Sequence, residues 1–339
     1  MPRKALILTI PAVGHILPAA TVIKKLAEEG YSADIICEKR YAAYFHSHGA
    51  SRVFTIKGCG THTRLKGIQA LLFLKLFYYN RIVGDLADSH LERERYDLLL
   101  SDMFMLAGPP LASKHGIGYA AICPIIWPFR TGADPAYNIP AELPRAMNVV
   151  LNGIFGLLLD SFAPVIGSFY RKYGVKVKSY GWRIHTGYEK IYVTIPEKFH
   201  AFMRAKPRNM IFLDHIPEDR PLFKGGIRLK EDAKYIIISL GTVFYRTSRI
   251  RSIVKKYGLK KFPHKIIVLG DSERTEDGVQ FMKGISLNEI LPYASLFITH
   301  GGINSLLAAY HHRVRTLILP QSAEQFENKR IFKKILEDI

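Results

Sequence analysis

Two residues of the first half are suited to moving a proton. His15 lies in Pro11-Ala-Val-Gly14-His15-Ile-Leu-Pro18, directly after an apolar run that reads as a strand. Imidazole titrates near neutral pH, so a histidine at the carboxyl end of a strand can accept a proton from a bound hydroxyl. Asp102 ends another strand-like run, and a carboxylate bonded to the far ring nitrogen would fix the tautomer of His15 and stabilise its imidazolium. Taken separately, His15 is a loop histidine and Asp102 is an N-cap for a helix starting near Phe104. The capping and orienting roles of Asp102 are compatible.

The second half carries residues suited to holding phosphate. In Ser239-Leu240-Gly241-Thr242 a strand closes on a small residue and a hydroxyl, where backbone amides could face phosphate oxygens. A stronger pattern follows in Leu296-Phe-Ile-Thr-His300-Gly301-Gly302-Ile303-Asn304-Ser305, a strand running through a glycine turn into a helix amino terminus. Glycines admit a ligand close to the main chain, and the unpaired amides with the positive end of the helix dipole favour a diphosphate. A turn capped by Asn304 and Ser305 is the structural alternative. Downstream, Leu317-Ile-Leu-Pro320 ends a strand before Glu324 and Gln325, side chains able to bond sugar hydroxyls or simply to open a solvated helix.

These groups need a scaffold that presents strand ends. Short β-type runs at Ala5–Ile10, Ser32–Cys37, Arg52–Ile56, Asp97–Ser101 and Gly118–Cys123 alternate with helical patterns at Ala19–Glu29, Ile68–Asp88 and Leu106–Lys114. That alternation marks a parallel sheet covered by crossover helices. A helical region over Arg145–Tyr173 and strands at Ile191–Ile195 and Met210–Leu213 follow. The Pro, Gly and charge-rich stretch from Pro217 to Gly226 reads as a linker. The alternation then restarts at Tyr235–Leu240, Lys265–Leu269, Leu296–Thr299 and Thr316–Leu319. The expectation is α/β, two doubly wound domains: 1–216, a linker at 217–230, and 231–339. Ligands of such sheets bind outside the carboxyl strand ends, where His15, Asp102 and His300 all fall.

Composition narrows the classes. The 339 residues are about twice the usual ~150-residue domain. A 48% hydrophobic share excludes a disordered chain. The excess of 48 Lys+Arg over 29 Asp+Glu favours anionic partners. Three cysteines without metal-type spacing suggest neither a disulfide framework nor structural zinc and fit a reducing cytoplasm. The apolar run after Arg3 and Lys4 is too short for a signal peptide, and Lys75 and Asp160 interrupt the longest apolar stretches, so a soluble or at most membrane-surface protein is expected.

Together these segments resemble the family-1 glycosyltransferases of the GT-B fold, the group that includes macrolide and UDP-glucuronosyl transferases. The resemblance rests on residues 5–30, Asp102 and its surroundings, the Ser239–Thr242 loop, and residues 291–328. Its most specific part is His300-Gly-Gly-x-Asn-Ser followed by Leu-Pro and Glu-Gln. It implies a GT-B architecture, two Rossmann-like domains facing across a cleft, the second shortened. It implies His15 as general base and Asp102 as its orienting partner. Gly241, Thr242, His300, Gly301, Gly302, Asn304 and Ser305 would hold a nucleotide-sugar diphosphate, with Glu324 and Gln325 on the transferred sugar. The implied reaction is inverting hexosyl transfer from a UDP-sugar co-substrate, with no metal and no cofactor.

Several positions depart from the family pattern. Ala308 stands where an acidic residue usually holds the ribose, and Arg313-Val314-Arg315 replaces Gly-Val-Pro. Phe281–Leu287 lacks the usual Trp and Gln for uracil, Glu324 replaces Asp, and the sequence ends at Ile339 before the helices that cross back in relatives.

In this fold acceptors bind the first domain, here near Thr61–Tyr79 and Trp127–Tyr170. Phe73, Trp127 and Phe129 are therefore expected to line an apolar or lipid acceptor pocket. Neighbouring basic residues, among them Arg64, Lys66, Arg171 and Lys176, read as an ordinary solvated face or, beside the apolar side chains, as a contact for an anionic membrane surface. The competing readings are a non-catalytic sugar-nucleotide-binding subunit needing a helper, a homo-oligomer included, and a nucleic-acid binder. The last rests on charge alone, without a stacking platform or recognition helix.

Overall fold

The computed structural model describes residues 2–57, 69–125, 163–175, 190–200, 208–213, 229, 234–241, 247–270, 272–321 and 323–336. The chain divides into two compact units, Met1–His215 and Ile216–Ile339. Except for Leu229, the 217–230 stretch expected as linker lies outside the described residues.

The first unit is built on a seven-stranded, all-parallel sheet. Its strands are β1 (Arg3–Leu8), β2 (Tyr31–Glu38), β3 (Arg52–Ile56), β4 (Leu98–Asp102), β5 (Gly118–Cys123), β6 (Lys190–Val193) and β7 (Met210–Phe212), in the order β3-β2-β1-β4-β5-β6-β7. Ala5 to Leu8 and Leu99 to Leu100 are fully buried, as central parallel strands covered on both faces must be. The chain leaves β1 on one side toward β2 and returns on the other as β4, so the topological switch point lies between β1 and β4.

The second unit repeats the plan with six strands. They are β8 (Tyr235–Ser239), β9 (Lys265–Gly270), β10 (Arg274–Glu276), β11 (Val279–Lys283), β12 (Ala294–Thr299) and β13 (Thr316–Ile318), in the order β10-β11-β9-β8-β12-β13. Alternation along β8 feeds two cores. Ile236 and Ile238 pack with Ile250 and Ile253 of helix Thr247–Lys256, whereas Tyr235 and Ile237 pack with Ala308 and Ala309 of helix Ile303–His311. The switch point here is between β8 and β12.

Three local features differ from the sequence expectation. The first helix spans Val13–Glu28 rather than starting near Ala19, with Pro18 inside it. The amide Pro18 lacks would have bonded the carbonyl four residues back, at Gly14, in the first turn, so the helix loses one bond near its start and continues. Residues 274–283, unassigned from sequence, form an antiparallel edge hairpin. Its two-residue turn is Asp277-Gly278, both at positive φ, the turn that joins twisted strands. At Arg313, where the family pattern has glycine, the backbone keeps φ at 51°, a left-handed conformation that costs an arginine about 1–2 kcal/mol.

Candidate functional site

Both switch points carry the residues singled out above. In the first sheet Leu8 pairs with Ser101, which brings the chain leaving β1 beside Asp102. His15 lies not in a loop but in the first turn of helix Val13–Glu28. Its Nδ1–H donates to Asp102 Oδ2 at 2.6 Å. The His15 side chain is 20% exposed and that of Asp102 is 1% exposed, so the carboxylate is buried and the ring reaches the surface. Asp102 Oδ1 accepts the Phe104 amide at 2.9 Å, and the Asp102 carbonyl accepts the Met105 amide at 2.7 Å. Asp102 therefore closes a turn, whereas the following helix begins only at Gly108. The Phe104 ring meets the imidazole edge-on at 5.7 Å. With Nδ1 donating, Nε2 carries the lone pair, the state a general base requires.

In the second sheet Thr299 pairs with Ser239, so the 240–241 and 300–302 turns lie side by side. The His300 ring is clamped between two glycines. A Cβ at Gly241 would sit 2.8 Å from its Cε1 and Nε2, and one at Gly302 would sit 2.7 Å from Nε2. Gly301 has φ of +90°, and a Cβ there would lie 2.8 Å from Ile318 Cγ2. The His300 Nδ1–H points to the Ser239 carbonyl at 3.4 Å. Burial pushes the His300 pKa below its ordinary value and outweighs the opposing effect of that carbonyl, so the ring is neutral at neutral pH.

Gly302 is the N-cap of helix Ile303–His311, and no side chain caps it. The capped-turn alternative for Asn304 and Ser305 is thus not what forms. The first amides of this helix are not met by its own backbone, and such amides together with the helix dipole favour an anion. Ser305 is buried at its foot.

Helix Ala323–Leu336 staples these turns. Asn328 Nδ2 donates to the Gly301 carbonyl at 3.0 Å, and Gln325 Oε1 accepts the Gln321 amide at 2.8 Å. Gln321 in turn donates to the Leu240 carbonyl at 3.4 Å. Gln325 is buried and uses its oxygen on the loop, whereas Glu324 is half-buried. Asn328 and Gln321 were not singled out from sequence; the available signal was a polar residue in the strand-to-helix connection at Gln321 and a polar residue within the helix at Asn328. Ala308 is 3% exposed and belongs to the core, so the position usual for a ribose-binding carboxylate serves packing here.

Thr242, Trp127 and Phe129 lie outside the described residues, as does the Phe73 side chain. Of the stretches expected to line an acceptor pocket, Tyr79, Phe169 and Tyr170 are buried core residues and Tyr78 is exposed. Among the described residues no cluster of three or more His, Cys, Asp or Glu could hold a metal ion, and no helix is long and apolar enough to cross a membrane.

Two doubly wound sheets, one all-parallel and one parallel but for an edge hairpin, each with polar groups at the carboxyl edge of its switch point, define a GT-B glycosyltransferase fold. No protein-family model matches the chain. Over 122 residues it is 29% identical to UDP-glucuronosyltransferase 2B30 of Macaca fascicularis, a match covering 34% of this chain and 23% of that protein. Over nearly its whole length (96%) it is 21% identical to the oleandomycin glycosyltransferase of Streptomyces antibioticus, covering 76% of it. The chain thus spans under a quarter of the first relative and about three quarters of the second.

Among solved structures, the glycotransferase of kitacinnamycin superposes with a TM-score of 0.71 at 17% identity, over 99% of this chain and 85% of that one. A spinosyn rhamnosyltransferase complexed with thymidine diphosphate gives 0.61 at 16% identity, over 98% and 84%. The Arabidopsis thaliana glycosyltransferase UGT89C1, complexed with UDP, gives 0.66 at 13% identity, over 98% and 83%. The homologues and structural neighbours are family-1 and macrolide glycosyltransferases, as the sequence motifs indicate.

Proposed function

We propose that this chain is an inverting glycosyltransferase that moves a hexose from a nucleoside-diphosphate sugar to a hydroxyl of an apolar or lipid acceptor. The observation that carries the reading is the His15–Asp102 pair, a mostly buried imidazole whose edge reaches the surface, oriented through Nδ1 by a buried carboxylate. In the proposed step the acceptor hydroxyl gives its proton to His15 Nε2 as its oxygen attacks the anomeric carbon. The bond from that carbon to the diphosphate oxygen breaks on the opposite face, and configuration inverts. Charge growing on the leaving diphosphate is met by the amides of Ile303 to Ser305 and the helix dipole, so the step needs no metal.

The donor nucleotide is proposed to be UDP or TDP, since structural neighbours carry one or the other. The acceptor class rests on the apolar and basic character of the sequence near 61–79 and 127–170, which also suits a cytoplasmic protein working at an anionic membrane face. A thermal-shift screen of nucleoside diphosphates and their sugar conjugates tests the donor, because a ligand bound only by the folded form raises stability with occupancy. A diphosphate that raises the melting temperature supports the reading, and a complete set without effect contradicts it.

A second reading, a sugar-nucleotide-binding subunit without activity of its own, is favoured by one observation. Helix Ile303–His311 has no carboxylate, and Ala308 is turned into the core. Product formed by the purified chain alone excludes it; donor binding without turnover supports it.

A further inference from the structure

Helix Gln69–Arg93 contains two consecutive buried side chains whose polar atoms bond loops of the sheet edge. Asn80 is 0% exposed in the interior of this helix, where Asn is a poor helix former and burying an amide is costly unless it is bonded. Its bonds lead to the loop that carries Asp102. Asn80 Oδ1 accepts the Leu106 amide at 2.6 Å, and Nδ2 donates to the Phe104 carbonyl at 3.2 Å and to the Leu76 carbonyl at 3.0 Å.

Its neighbour Tyr79, also fully buried, leads to the other loop. The Tyr79 hydroxyl donates to the Thr9 carbonyl at 3.0 Å, one residue past β1 on the chain that becomes the His15 helix. One turn on from Asn80, Gly84 lets the helix lie against the end of the loop that follows Asp102, since a Cβ there would sit 2.8 Å from that of Ala107.

We infer that Tyr79 and Asn80 are positioning residues that hold the two loops in the register at which His15 Nδ1 meets Asp102. Asn80 fixes the loop through Phe104, whose amide bonds Asp102 and whose ring abuts the imidazole. Tyr79 fixes the strand end from which the His15 helix departs. The inference rests on reading His15 as the base and Asp102 as its orienting group.

The test uses the full chain and no substrate. Nuclear magnetic resonance of protein labelled with ¹⁵N in its histidines reports the ring tautomer of His15 and its Nδ1 proton, identified by their loss in His15→Ala. Asp102→Asn serves as the reference for a broken pair. Asn80→Ala is expected to keep a cooperative melt yet lose the low-field Nδ1 proton and populate the other tautomer. Tyr79→Phe, which deletes one hydroxyl at nearly constant volume, is expected to broaden the same resonance, and it decides the matter if Asn80→Ala does not fold. A wild-type His15 signature in folded Asn80→Ala, or in Tyr79→Phe alone when Asn80→Ala fails to fold, overturns the inference, provided that Asp102→Asn abolishes the signature. If Asp102→Asn also leaves it unchanged, the pairing itself is wrong, and the positioning role falls with it.

Discussion

At the switch point of the first sheet, side chains hold side chains: Asp102 holds His15, and Asn80 and Tyr79 hold the loops beneath them. At the switch point of the second, the surface proposed to meet the donor is main chain. Gly241, Gly301 and Gly302 are defined by the space they leave, His300 fills the gap between two of them, and the helix amino terminus is uncapped. The two sites share a topology and differ in what destroys them. The first fails when atoms are removed, and the second fails when atoms are added.

Removing the proposed base is the largest of these effects. His15→Ala should lower turnover by about 100-fold or more, the scale of general-base catalysis, with donor affinity unchanged. Steady-state kinetics beside calorimetric titration of the donor checks both halves, and a collapse of donor affinity would make His15 structural.

Adding one methyl group across the molecule comes next. Gly302→Ala places a carbon 2.7 Å from His300 Nε2 and must move the ring or the turn, with overpacking on the order of 1–3 kcal/mol. Donor binding should weaken about 10-fold or more while the His15 resonances stay as in wild type. Unchanged donor affinity would show that the turn does not touch the ligand. Ser305→Ala removes only a hydroxyl and should cost about 1–2 kcal/mol in donor affinity if that hydroxyl meets phosphate. Equal titration curves would limit Ser305 to packing.

The smallest effect lies away from both sites. At the amino edge of the first sheet, Arg52 and then Lys4 hold the Glu94 carboxyl down from 4.5 to about 2. The folded chain therefore binds fewer protons than the unfolded one between those values. The stability this gives is present above about pH 4.5 and is lost as pH falls toward 2. Glu94→Gln should flatten the acid limb of a pH-dependent melting series and leave donor binding alone. The same acid loss in wild type and variant would assign acid unfolding to other groups.

Most strands were legible because a parallel strand buried on both faces is a continuous apolar run, as in Tyr235-Ile-Ile-Ile238. The Arg274–Lys283 hairpin was not, because its first strand is short, polar and at an edge; the Asp277-Gly278 dipeptide was the missed signal. Pro18 was read as the end of a loop, although near a helix start it removes only one bond. The glycine turn after His300 could be read from local spacing, since strand, turn and helix follow one another. The company of Asp102 with His15 was assigned through the family resemblance, and the long-range bonds of Asn80 and Gln321 could not be read from local pattern. The loop carbonyls and amides that their side chains bond across the fold lie 24 to 81 residues away, and only the closed sheets bring them together.

Calorimetric titration of UDP and of TDP into wild type, His15→Ala and Gly302→Ala bears most directly on the whole account. One diphosphate should bind wild type and His15→Ala with equal affinity and Gly302→Ala at least several-fold more weakly. Equal binding to all three, or binding lost in His15→Ala and kept in Gly302→Ala, would contradict it.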